Sequence, residues 1–193
     1  MTTSSAAPTQ PRPLMRRRLL GCGAAALTGA TLPALGGCSP ASGTDRALVY
    51  GSLDEALREA DRLVALDDLH PATGWSLSQT LAHCAQSIEY SLQGFPVAKS
   101  ELFQQTLGRA AFSVFAWRGR MHHDLAEPIP GAQALAPTLD KHQALARLHT
   151  AANAFATATG PLQPHFAYGA LTRAQYEQAH AMHLANHFSA MDA

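Results

Sequence analysis

Residues 76–93 read SLSQTLAHCAQSIEYSLQ, and this stretch decides the fold. Ser76 followed three residues later by Gln79 has the form of a capping box, in which each side chain satisfies a backbone N–H at a helix start. Leu77, Leu81, Cys84, Ile88 and Leu92 then recur at helical spacing, which marks an amphipathic helix rather than a strand. The pattern repeats along the chain. Ser52 with Glu55 opens a helix whose apolar face is Leu53, Ala56, Leu57, Ala60, Leu63 and Val64. A third helix is expected from about 100 to 118, with Phe103, Leu107, Ala110, Val114 and Trp117 in register and Gly119 as its stop. A fourth is expected over 138–159, carrying Leu139, Leu145, Leu148, Ala152 and Phe155 and ended by Gly160 and Pro161. The fifth begins at Thr172, with Gln175 completing another capping box, and continues nearly to the end. Between the third and fourth, the run EPIPGAQALAP (127–137) excludes continuous helix. No segment sustains period-two alternation, so the expected class is all-α.

The chain has 193 residues, 47% of them hydrophobic and only 15% charged, enough for one domain with a proper core. Formal net charge is zero, but it is unevenly spread. Arg12, Arg16, Arg17 and Arg18 all precede residue 38, and every Asp and Glu follows it. From residue 38 onward ten Lys and Arg face fourteen Asp and Glu, a net charge of about −4. An acidic body without a basic stripe is a poor nucleic-acid binder, so no nucleic-acid partner is expected.

The first residues follow a different logic. MRRRLLGCGAAALTGATLPALGGC (15–38) has a charged start, an apolar run of small residues and an abrupt end. That is the layout of an export signal, with an apolar stretch too short to span a membrane stably. Arg16, Arg17, Arg18, Leu19 and Leu20 resemble a twin-arginine signal, which exports folded proteins. Leu35, Gly36, Gly37 and Cys38 resemble a bacterial lipobox, cut before a cysteine that receives lipid; an ordinary cleaved signal or an uncleaved anchor is the alternative. The expected organisation is thus an export signal over 1–37, lipidation at Cys38, a tether over 38–51 and a helical body over 52–193. The expected location is the periplasmic face of a bacterial membrane. Cys22 would leave with the signal, so Cys84 alone remains in the body and no internal disulfide can form. It falls on the apolar stripe of its helix, where a packed core thiol is expected.

Chemistry is concentrated in histidines. HAMHLANHF (180–188) places His180, His183 and His187 within about 60° of one another on a helix, with Tyr176 on the same face. Two imidazoles at i and i+4 can share one ion, but a site needs a third ligand from elsewhere. His83 is the best candidate. It sits away from the apolar stripe, in a polar band with Ser76, Thr80, Ser87 and Tyr90 that leaves room for water; an ordinary surface histidine would look the same. His122 and His123 follow Gly119 in a loop, where exposure is the default. Tyr90, Trp117, Phe103 and Phe115 read as core. Residues 94–100 lack the second glycine and the preceding strand of a phosphate-binding loop.

The run GWSLSQTLAHCAQSIEYSLQGFP (74–96), with PHFAYGALTRAQYEQAHAMHLANHF (164–188) downstream, resembles the DinB-like superfamily of metal-binding four-helix bundles. It is most similar to a branch described only as a domain of unknown function. The resemblance covers most of 52–193 and implies a four-helix bundle, here with an extra helix and a long Pro/Gly-rich connection. In that superfamily a Trp precedes the helix bearing the first metal histidine, matching Trp75 and His83, and a His-x-x-x-His on the last helix supplies the others, matching His183 and His187. His180 is outside the pattern and is expected at the rim. A further histidine often stands at or beside the position of Asn186. His165, in the turn before the last helix, is either a group supporting the ligands or a loop-packing residue; Tyr176, His180 and Asn186 are further candidates for a supporting role. The implied centre is three neutral imidazoles with an open position, suited to zinc or nickel. Two functions follow: a metal-dependent hydrolase or thiol-dependent transferase, or a non-catalytic lipoprotein that binds a metal or small ligand. The expected partners are the membrane, through the anchor, and an unidentified small molecule, with a homodimer left open.

Overall fold

A computed structural model of the chain describes residues 45–192 apart from Asp68, Ala72 and Thr73. The export signal, the lipobox and Cys38 lie outside the described residues. The described body is helical, as its periodicity requires: α1 (Leu53–Val64), α2 (Leu77–Gln93), α3 (Glu101–Phe103), α4 (Arg109–Arg118), α5 (Lys141–Thr157) and α6 (Arg173–Phe188). One two-residue antiparallel pair, β1 (His70–Pro71) with β2 (Met191–Asp192), fastens the loop after α1 to the end of α6. Both capping boxes form, Ser76 with Gln79 and Thr172 with Gln175, each with side-chain and backbone bonds in both directions. Helix α5 starts later than its sequence suggests because Asp140 is the better cap, accepting from the backbone N–H of His142 and Gln143. No described helix is long and apolar enough to cross a membrane.

Helix α2 is the centre of the packing. It lies chiefly against α5 and also against α6, and α1 packs on both of those. Leu81, Cys84, Ile88, Leu148, Phe155, Leu184 and Phe188 form the shared core, where Cys84 is fully buried. Because α2 is covered on several sides, its polar band is buried as well, including Thr80, His83, Ser87 and Ser91. Glu89 and Arg147 bind α2 to α5 through two parallel N–H···O bonds of 2.7 and 2.8 Å. Residues 45–51, expected as the end of a tether, are fastened to the body. The Arg46 N–H donates to the Ser189 carbonyl, its guanidinium pairs with Glu59 at 2.6 Å, and the Leu48 N–H donates to the Ser189 hydroxyl.

The third helical region departs from its expected form. It is broken by a π-helical turn, Gln104–Gly108, between α3 and α4. Its expected stripe faces outward, with Leu107 66% and Trp117 86% exposed, and Phe103 and Val114 also exposed. The inward face carries Gly108 and Phe112, with Phe115 and Ala116 packed alongside. Two apolar stripes competed, and contact with the 165–169 turn selected the second. A Cβ at Gly108 would overlap the Ala167 carbonyl oxygen, so this face can approach that turn only because residue 108 has no side chain. Gly108→Ala is therefore expected to cost roughly 1–3 kcal/mol of stability in urea unfolding. Gly160→Ala, at a position with nothing within 4 Å, is expected to be near neutral. Equal midpoints for the two variants would contradict this account.

Candidate metal centre and its pocket

Three histidines from two helices converge. His183 Nε2 lies 3.2 Å from His83 Nε2 and 3.1 Å from His187 Nε2, and one ligand atom from each ring lies within 4.8 Å of the others. The one-turn offset on α6 brings His183 and His187 together, and α2 delivers His83 from the facing side. All three residues are at most 8% exposed. Trp75, just before α2, packs against His83 at 4.9 Å between ring centroids and lies parallel to His187 at 6.3 Å.

This donor set fits a metal ion. Two nitrogens each about 2.0–2.1 Å from a tetrahedral ion sit roughly 3.3 Å apart, close to the separations here. Without a cation the best internal solution is one N–H of His183 shared between two acceptors. Three facing nitrogens then have one proton to share, whereas a cation would give each lone pair a partner; the His83 proton sits on Nδ1, buried and without a hydrogen-bond partner, in either case. Burial also holds the rings neutral. Desolvation lowers His83 to about 4, aided by nearby His123, and takes His183 and His187 well below their ordinary value, aided by their neighbours. Neutral imidazoles are ready to ligate without first losing a proton.

Beside the triad lies a cavity of about 250 Å³, lined by His83, His183, Ser87, His165 and His180 among polar groups and by Met121, Ile129 and Tyr168 among apolar ones. Lys99 and Glu127, both exposed, also line it. His165 belongs to a tight turn closed by paired backbone bonds with Gly169, at 2.8 and 3.0 Å. The backbone N–H groups of Ala167 and Tyr168 both donate to its Nδ1, at 3.1 and 3.2 Å. That nitrogen is unprotonated, so the ring carries its proton on Nε2, and burial with the neighbouring His180 lowers its pKa to about 3. The ring is thus a neutral hydrogen-bond donor.

His180 is not at the rim. It is 2% exposed, set edge-on to Phe155 and stacked on Tyr176, because α5 and the first turns of α6 close over it. The Ser91 hydroxyl donates to the Ile88 carbonyl and so accepts from His180 Nε2 at 3.4 Å. Tyr176, fully buried, donates its hydroxyl to the Gln163 carbonyl at 2.6 Å. Asn186 is half-buried and donates to the His123 carbonyl at 3.5 Å. His122 is exposed, as a loop position suggests, but His123 is half-buried and its ring lies 5.0 Å from both His183 and His187. Nothing in the sequence pointed to it, since a loop has no periodicity from which to place a side chain. Glu89, close to His83 in sequence, is committed to Arg147 and is no general base.

The chain belongs to the family described as "Protein of unknown function (DUF1569)", whose model matches residues 43–193. No curated protein and no solved structure matches it.

The neutral histidines have a consequence for stability. In the unfolded chain they titrate near 6.5, whereas folded His83 is lowered to about 4 and His165 and His180 to about 3. Below pH 6.5 the unfolded state takes up protons that the folded state refuses. Stability from this source is complete above 6.5 and falls as the pH drops toward 4, by about 1.4 kcal/mol per pH unit for each such histidine. Urea unfolding of the metal-free domain between pH 7.5 and 4.5 is expected to show that decline; a flat profile would contradict it.

Proposed function

We propose that the protein is a metal-dependent enzyme acting on a small molecule, with a divalent transition ion such as zinc or nickel held by His83, His183 and His187. The observation that carries this reading is the convergence of three buried, neutral imidazole nitrogens, two of them on rings (His83 and His183) that line a cavity of about 250 Å³. The resemblance to DinB-like metal-binding bundles supports the same ligands. When bound, the metal would act as a Lewis acid, polarising an oxygen or lowering the pKa of a bound water or thiol. The chain's own groups supply the rest. His165 offers a fixed N–H to an oxygen of the ligand, Ser87 offers a hydroxyl, and Met121, Ile129 and Tyr168 keep water from the remaining wall.

Hydrolysis is the favoured chemistry. Cys84 is sealed in the core with its thiol pKa raised by burial, so a thiol-dependent transfer would need an external thiol, whereas hydrolysis needs only water. The lipobox-like run ending at Cys38 supports an exported lipoprotein at the periplasmic face, where small thiols are scarce. Metabolic labelling with a fatty acid is expected to mark the wild-type protein and not Cys38→Ala; equal labelling would overturn the anchor.

Elemental analysis of the purified folded domain is expected to find about one transition-metal ion per chain. His83→Ala and His187→Ala are expected to lose it while keeping wild-type helicity by circular dichroism. Absence of metal from the wild-type protein, together with no zinc or nickel uptake on titration, would sink the reading.

A further inference from the structure

Four imidazoles meet at this end of the pocket. The ring of His123 stands 5.0 Å from His183 and 5.0 Å from His187 between centroids, and the pairs within the triad are 4.8–5.0 Å apart. Its orientation is set by its own loop. His123 Nδ1 contacts the Asp124 carbonyl oxygen at 2.8 Å. A carbonyl only accepts, so Nδ1 carries the proton and Nε2 is left with a lone pair. The triad members face one another through Nε2, and the group of ligand atoms within 4.8 Å of one another is theirs, with the His123 ring beside it.

The loop is tied to both ligand-bearing helices. Asn186, which precedes His187 on α6, donates to the His123 carbonyl at 3.5 Å. Gln86 of α2 donates to the Gln133 carbonyl at 2.9 Å, and Met121 and Ile129 are buried. Neighbouring His122 has none of this and is exposed.

We propose that His123 is a fourth, displaceable nitrogen ligand of the metal centre, an assignment that rests on the three-histidine reading above. With a metal on the triad, a fourth imidazole would complete the coordination shell, and closed shells hold metal without exposing it. The three helix-borne ligands are held by the core. His123 stands on an irregular segment, so its side chain can swing aside without moving either helix, at the cost of its bond to the Asp124 carbonyl. Because it also lines the cavity, a ligand that fills the cavity meets His123 as it approaches the metal. A loaded centre would then open only when a ligand displaces this side chain, which would protect the metal from adventitious anions.

Cobalt(II) is the probe for the ligand count, and azide the probe for an open position. Metal-free wild-type, His123→Ala and His122→Ala proteins are titrated with cobalt and followed by visible d–d absorption, and the loaded proteins are then titrated with azide. Loss of a group that merely supports a ligand already costs about 10- to 100-fold in metal affinity. His123→Ala is therefore expected to bind cobalt at least about tenfold more weakly, with a changed spectrum. Its azide affinity is expected to rise by a similar factor, and His122→Ala to match wild type. In the wild-type protein, zinc addition is expected to shift the ¹⁵N resonance of His123 Nε2, a readout that does not depend on any variant folding. An unmoved Nε2, or identical cobalt spectra and azide affinities for wild type and His123→Ala, would overturn the proposal. Failure of the wild-type protein to take up cobalt at all would remove the metal centre and His123 with it, whereas uptake without a His123 effect would remove only the fourth ligand.

Discussion

The site is governed by one constraint: imidazoles are buried where little is available to balance their charge. Among the described residues lining the pocket the carboxylate is Glu127, and it is exposed. A protonated ring inside would lack both hydration and a counter-ion, so His83, His165, His180, His183 and His187 are held neutral by desolvation. A neutral imidazole has one lone pair and one N–H, and burial makes each costly to leave unused. Local chemistry satisfies part of this demand: the Ser91 hydroxyl receives His180, the Asp124 carbonyl receives His123, and two backbone N–H groups serve His165. For the triad, three Nε2 atoms converge with at most one well-shared proton among them. A cation gives every lone pair a partner, which is why the rest of the site is best understood around one.

The pocket also separates its polar functions by tautomer. The 165–169 turn bonds His165 through Nδ1 and forces the proton onto Nε2, making the ring a donor. The loop bearing His123 uses Nδ1 as a donor and leaves Nε2 as an acceptor. The same side chain thus takes opposite roles, set in each case by a backbone group within three residues of it. Burial lowers both pKa values, that of His165 to about 3, and so favours the neutral rings on which these two roles depend.

How much of this was legible depended on whether a residue sat on a regular helix. His83, His183 and His187 could be nominated because helical spacing fixes relative directions and because the Trp-to-His and His-x-x-x-His pattern resembles that of a metal-binding superfamily. The helix starts at Ser52, Ser76 and Thr172 were legible because capping is local chemistry. The outward turn of Leu107 and Trp117 was not, since a helix apolar on two sides cannot announce which one meets the core; the bare Cα of Gly108 decided it through a contact with Ala167. The burial of His180 depended on Phe155 from another helix. His123 escaped notice because its position is set by Asn186 and Asp124 rather than by any period in the chain.

Charge balance then constrains what the pocket can receive. Neutral imidazoles, whether three or four, leave both positive charges of a divalent ion uncompensated, whereas a carboxylate ligand would have cancelled one. At an effective dielectric constant of about 20, a unit negative charge about 4 Å from such an ion gains roughly 8 kcal/mol before desolvation is counted. Lys99 adds a positive group along the pocket and Glu127 a negative one, so the two exposed side chains roughly cancel and the ion would set the sign. A centre of this composition favours an anion, whether hydroxide or an oxygen-bearing group of a small ligand, and the N–H of His165 presents matching polarity from the same wall. The neutrality that the apolar interior imposes on the histidines is thus also what would make a bound metal a strong anion receptor.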